Sequence, residues 1–192
     1  MVGQSLPVRA ARLMARPTRT MQLLNFALFQ AAWFAGVLGA AHDMPLLGTM
    51  AVATVIAWHI AVSARPAAEA KLVAAALAIG ALFETFCAQL GLVTFTSGQP
   101  EPHLAPYWMV AMWGLLAIAL NVTMRWMKRR WLLAAALGAV AGPMSYAGGV
   151  RLGAATFIHA TAALTTLAIA WAVLMPAMMW LSDRFDGVAT PA

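Results

Sequence analysis

The sequence predicts an all-α, polytopic membrane helix bundle of about six transmembrane helices, oriented N-in and C-in. Three observations carry this expectation. Apolar residues make up 63% of the 192 and charged residues only 9%, whereas a soluble domain needs roughly a quarter of its residues charged to keep its surface wet. The mean hydropathy is +0.80. The few charges are gathered into short clusters between long apolar runs, which is how a membrane protein marks one side of the bilayer.

Six runs approach the roughly 20 helical residues that cross a hydrocarbon core of about 30 Å. They are 21–41, 46–64, 72–96, 107–124, 131–150 and 154–181. Together they define a transmembrane domain over 21–181, with a basic cytoplasmic segment at 1–20 and a short cytoplasmic tail at 182–192. The runs are rich in Ala and Leu and lack period-2 alternation, so no sheet is expected. Short connections separate them: 42–45, Arg65 to Lys71, Ser97 to Pro106, Arg125 to Arg130, and a glycine-rich turn around Gly149–Gly153. The first run competes with a signal peptide cleaved at Gly39-Ala40-Ala41. Its apolar length exceeds the roughly 7–15 residues of a signal core, and cleavage would leave an odd number of spans.

Orientation follows from the cations. With the N-terminus in the cytoplasm, Arg9, Arg12, Arg16, Arg19, Arg65, Lys71, Arg125, Lys128, Arg129, Arg130 and Arg184 all fall inside, and Arg151 alone does not. Trp58, Trp126, Trp131 and Trp180 then lie at the cytoplasmic boundary and Trp108 at the outer one, as an aromatic belt requires. The net charge of +6 is thus a topology signal. Nucleic acid is not an expected partner, since no groove-reading motif accompanies the charge; the lipid bilayer is. Cys87 is the sole cysteine, which excludes disulfides and cysteine-ligated metal sites within one chain.

Glu84 is the most informative polar residue. Counted from residue 72 it lies about 18 Å along the third run, near the bilayer midplane, where a carboxylate must be protonated, paired or wetted. Ala76, Gly80, Ala88 and Gly91 share its face at i, i+3 and i+4 spacing, and small residues let a neighbouring helix approach. Two readings stay open: a working carboxyl group, or one that ties helices together. Arg151 is a natural partner, although it also suits a cation snorkelling to the outer headgroups. It follows Gly142-Pro143, which should kink or break the fifth run. Tyr146 lies about one turn before Arg151, and His159 lies near the outer end of the sixth run. Glu84, Arg151, Tyr146 and His159 form the candidate polar centre.

Asn25, Gln30, His59 and Asn121 lie toward the cytoplasmic half, and isolated polar residues of this kind more often tie helices together than do chemistry. Trp33, Trp113 and Trp171 are interior by position. A metal site from His42, His103 and His159 with Asp43 is set aside, since the histidines lack ligand spacing. No cofactor motif, nucleophile elbow or phosphate loop is present.

Several stretches are similar to one bacterial inner-membrane family. Asn25-Phe26-Ala27-Leu28-Phe29-Gln30-Ala31-Ala32-Trp33-Phe34 resembles its opening span. Ala105-Pro106-Tyr107-Trp108, Trp113 with Asn121, and Arg125-Trp126 fit as well, and Gly142 to Ala154 matches best. The chain resembles the domain of unknown function 2878 over residues 21–181. The resemblance implies the bacterial inner membrane, an acidic residue where Glu84 stands, and a gene neighbourhood of enzymes that modify membrane fatty acids. It implies no established activity. The leading expectation is therefore a part in membrane-lipid modification or envelope stress response, as an intramembrane enzyme or an accessory subunit with a lipid substrate or partner membrane protein. The alternatives are a small proton- or cation-coupled transporter and a structural subunit of a membrane complex. A lipid enzyme should open its polar pocket sideways to the bilayer.

Overall fold

In a computed structural model, which describes residues 17–188, six helices form the bundle. They are α1 (Arg19–Ala41), α2 (Pro45–Val62), α3 (Pro66–Gln89), α4 (Tyr107–Leu120), α5 (Trp131–Arg151) and α6 (Ala160–Arg184). Five of them are long and apolar enough to cross a membrane, and α4 is shorter. The protein is an all-α polytopic membrane bundle. Helices α1 and α2 pack as one hairpin, α3 lies along α4, and α5 lies along α6. Helix α4 touches α1, α2, α3 and α6, and every residue from Trp113 to Val122 is buried. It is the centre of the bundle, whereas Leu132, Leu82, Leu23 and Val173 on other helices are among the most exposed apolar side chains. Apolar groups outside and polar ties inside are what a lipid solvent selects.

The two ends of the bundle differ in charge. Arg19, Arg65, Lys71, Arg125, Lys128, Arg129, Arg130 and Arg184 lie within or beside the helix termini of one end, and Arg151 closes α5 at the other. Arg9, Arg12 and Arg16 lie outside the described residues.

Several sequence expectations are corrected. The third helix begins at Pro66 rather than residue 72, because Pro66 sits at the first helical position, where its missing N–H costs nothing. Glu69 and Lys71 are therefore helical. The same helix ends at Gln89, and Val93–Phe95 forms a strand, β1, which pairs antiparallel with β2 (Ala155–Phe157). The register sets Val93 against Phe157 and Phe95 against Ala155. Two three-residue strands are too short for an alternation signal, which is why no sheet was expected. Gly91 and Gly153, both at positive φ (65° and 88°), turn the chain into them. The sixth helix accordingly starts at Ala160 rather than residue 154, and the fourth stops at Leu120 rather than residue 124. Helix α5 runs unbroken through Gly142-Pro143 to Arg151, so the expected break does not form. Gly142 serves packing instead: a Cβ there would lie 2.3 Å from Cγ of Trp171. Only the single hydrogen bond that Pro143 cannot donate is lost.

Candidate functional site

Two buried carboxylates organise the interior. The first is Glu84. Helix α3 starts six residues earlier than expected, so Glu84 lies about 27 Å along it and only about 8 Å from its far end. It belongs to the half of the bundle opposite the basic end. Its Oε1 accepts the indole N–H of Trp113 at 2.8 Å and the hydroxyl of Tyr146. Gly80, one turn back, gives the indole room: a Cβ on it would meet Trp113 Cγ at 2.3 Å. Trp113 stacks on Trp171 with centroids 5.0 Å apart and planes 21° apart. Glu84 is fully enclosed (0% exposed), and its Oε2 and the Trp171 Nε1 are buried without hydrogen-bond partners.

Of the four residues in the sequence-derived centre, the fold brings Glu84 and Tyr146 together. Arg151 and His159 are exposed at the rim near β2, and the carboxyl group of Glu84 is bonded by Trp113 and Tyr146 instead. The position of Trp113 in the sequence implies an interior residue and no more. Its link to Glu84 joins residues 29 apart in sequence, which helical periodicity does not encode.

The second carboxylate, Glu69, lies in what the sequence presents as the connection from Arg65 to Lys71. It is fully buried in the first turn of α3. Its Oε2 is 2.9 Å from Nε2 of His59, and its Oε1 accepts Asn121 Nδ2 at 2.8 Å and the backbone N–H of Gly187 at 2.7 Å. Since the amide and backbone groups can only donate, the carboxylate is the shared acceptor, and His59 completes the set by donating from Nε2. That tautomer leaves Nδ1 as the basic nitrogen of the ring. Asn121 Oδ1 is buried without a partner.

Around this centre the chain segment after α6 is strapped down by charge. Asp186 accepts from Arg125 at 2.7 Å and from Lys128 at 2.8 Å, and Lys128 reaches Asp183 at 3.6 Å. The Arg65 guanidinium donates to the Asp186 carbonyl, and the Arg65 N–H donates to Gly187 O at 2.9 Å. Nearby, Thr123 Oγ1 donates to Asn25 Oδ1 at 3.0 Å, and Asn25 Nδ2 donates to Ile118 O at 3.2 Å.

His59 also lines a small cavity of about 30 Å³, enough for one water-sized group, with Asn25, Ser63, Val188, Met21, Trp58 and Val62 around it. Met21, Trp58 and Val62 are themselves 36–41% exposed on the outer surfaces of α1 and α2. A polar floor thus meets a wall that faces the surroundings of the bundle.

A family model described as "Protein of unknown function (DUF2878)" matches residues 22–177. No curated protein and no solved structure matches the chain.

Proposed function

We propose, for a chain that belongs to the DUF2878 family, a part in membrane-lipid modification in the bacterial cytoplasmic membrane, with His59 as its proton-transfer group. The observation that supports this reading is the position of His59. It is braced by buried Glu69 at 2.9 Å and lines a cavity whose other walls include the lipid-facing Met21, Trp58 and Val62. A carboxylate behind an imidazole orients the ring and stabilises its charged form when it takes a proton. The cavity, at about 30 Å³, has room for one hydroxyl or water beside His59. The basic end is read as cytoplasmic.

The test compares total lipids, by mass spectrometry, from cells lacking the protein and cells carrying wild type, His59→Gln or Glu69→Gln. The expected result is a lipid species that changes on removal and is restored by wild type but not by His59→Gln at equal protein level. A lipid profile indifferent to the protein's presence sinks the reading.

A second reading, a proton-coupled carrier, is favoured by one observation: the unpartnered Oε2 of enclosed Glu84. An ionisable group so placed in a span is a coupling site by default. Proton uptake into proteoliposomes that is lost in Glu84→Gln would support it, and uptake no greater than in protein-free liposomes would dismiss it.

A further inference from the structure

The connection between α4 and α5 carries four cations, and the fold divides them. Arg125 and Lys128 turn inward to Asp186 and Asp183. Arg129 and Arg130 are exposed, and the backbone takes the left-handed conformation at Arg129 (φ 62°), which side-chain-bearing residues ordinarily avoid.

Among the described residues no acidic side chain is left for this second pair. The chain has six acidic residues. Asp183 and Asp186 serve Arg125 and Lys128, Glu69 is enclosed by His59, Asn121 and Gly187, and Asp43, Glu84 and Glu101 lie toward the opposite end. On either side of the pair stand exposed Trp126 (55%) and Trp131 (43%), and the next residue, Leu132, is 89% exposed. The chain therefore passes within three residues from two exposed guanidinium groups to a fully presented apolar side chain. Tryptophan flanks of this kind fix the level of the polar–apolar boundary. Arg129 and Arg130 accordingly sit where lipid phosphates lie.

We propose that Arg129 and Arg130 form a headgroup site for an anionic phospholipid at the basic end of the bundle. Guanidinium groups match phosphate oxygens in pairs. The adjoining Trp126, Trp131 and Leu132 offer apolar surface to the acyl chains, which a free phosphate would not use. This inference does not depend on the chemistry proposed for His59.

Native mass spectrometry of the detergent-purified chain tests it, with phosphatidylglycerol and phosphatidylcholine supplied in equal amounts. Each cation near an anionic surface contributes on the order of fivefold in affinity, so the expected preference of wild type for phosphatidylglycerol falls by roughly 25-fold in the Arg129→Gln, Arg130→Gln double variant. The expected preference survives in Arg151→Gln and in wild type with millimolar inorganic phosphate. Unchanged preference in the Gln pair overturns the proposal, as does an equal loss in Arg151→Gln or displacement of the lipid by inorganic phosphate. Circular dichroism identifies a misfolded Gln pair, and Arg130→Gln alone, expected to lose about fivefold, then decides the matter.

Discussion

Gly187 and Glu69 are 118 positions apart, yet the Gly187 N–H donates to the Glu69 carboxylate at 2.7 Å. The contact has no spare volume: a Cβ on Gly187 would lie 2.6 Å from both Arg65 O and Glu69 Cγ. Gly187→Ala should therefore push the segment after α6 off the carboxylate and cost about 1–3 kcal/mol, the usual range for overpacking. Unfolding by denaturing detergent, followed by loss of helical signal, measures it; a variant as stable as wild type would show that the strap contributes nothing.

Glu69→Gln should be more damaging than its similar shape suggests. Three donors converge on the carboxylate, and an amide can accept at only one of its two ends. At least one buried donor then faces an NH2 group. The expected cost is about 2–3 kcal/mol, within the range for a buried hydrogen bond to a charged group. His59→Gln in the Glu69→Gln background should add less than it does alone, since the partners share one interaction. Strict additivity in that double-mutant cycle would separate the two residues.

At Glu84 the order of two variants is informative. Glu84→Gln can keep its carbonyl oxygen under Trp113 and Tyr146, so the protein should accumulate at near wild-type level. Glu84→Ala strands a buried indole N–H and a buried hydroxyl, at about 1–3 kcal/mol for each. Protein abundance and melting temperature in detergent provide the comparison, and equal behaviour of the two variants would contradict the geometry.

Gly80→Ala should disturb Trp113 directly, because the new methyl group would overlap the indole. Moving that ring also disturbs its stack on Trp171. Destabilisation of about 1–3 kcal/mol is expected, with a shifted tryptophan emission. Unaltered emission and stability would mean that α3 and α4 do not pack closely at Gly80.

The basic end should face the cytoplasm. In a Cys87→Ala background, a cysteine in place of His103 should react with an impermeant maleimide in intact cells, and one in place of Arg129 only after the inner membrane is opened. The reverse pattern would invert the assignment.

The helices were legible because each run of 18 or more apolar residues has few structural alternatives in lipid. Glu84 was legible for the complementary reason: a lone carboxylate in such a run stands out. Glu69 was hidden by its own position. Three residues after Pro66 and two before Lys71, it reads as part of a polar connection, and only the fold reveals that His59, Asn121 and Gly187 enclose it. Asp186 was hidden likewise, in a tail whose composition gives no sign that it docks. Gly142-Pro143 shows the opposite error. The pair is a strong local signal for a broken helix, and the presence of Trp171 against Gly142, a fact about another helix, supplies a different use for the glycine.

The brevity of α4 has a bearing on how the protein is made. Fourteen residues give about 21 Å of helix, against about 30 Å of hydrocarbon. Its polar ends are satisfied by other segments, Trp108 Nε1 by Ser97 O and Asn121 by Glu69. Released alone from the insertion machinery, such a segment would hold unsatisfied backbone at the wrong depth. It must instead be handed from the translocon to a cradle of α1, α2 and α3 already in place. The expected order of insertion is therefore one in which the helix at the centre of the finished molecule waits for its neighbours. Chains halted on the ribosome once α4 has cleared the exit tunnel should crosslink residue 113 to α3 rather than to lipid, and persistent lipid adducts would refute that order.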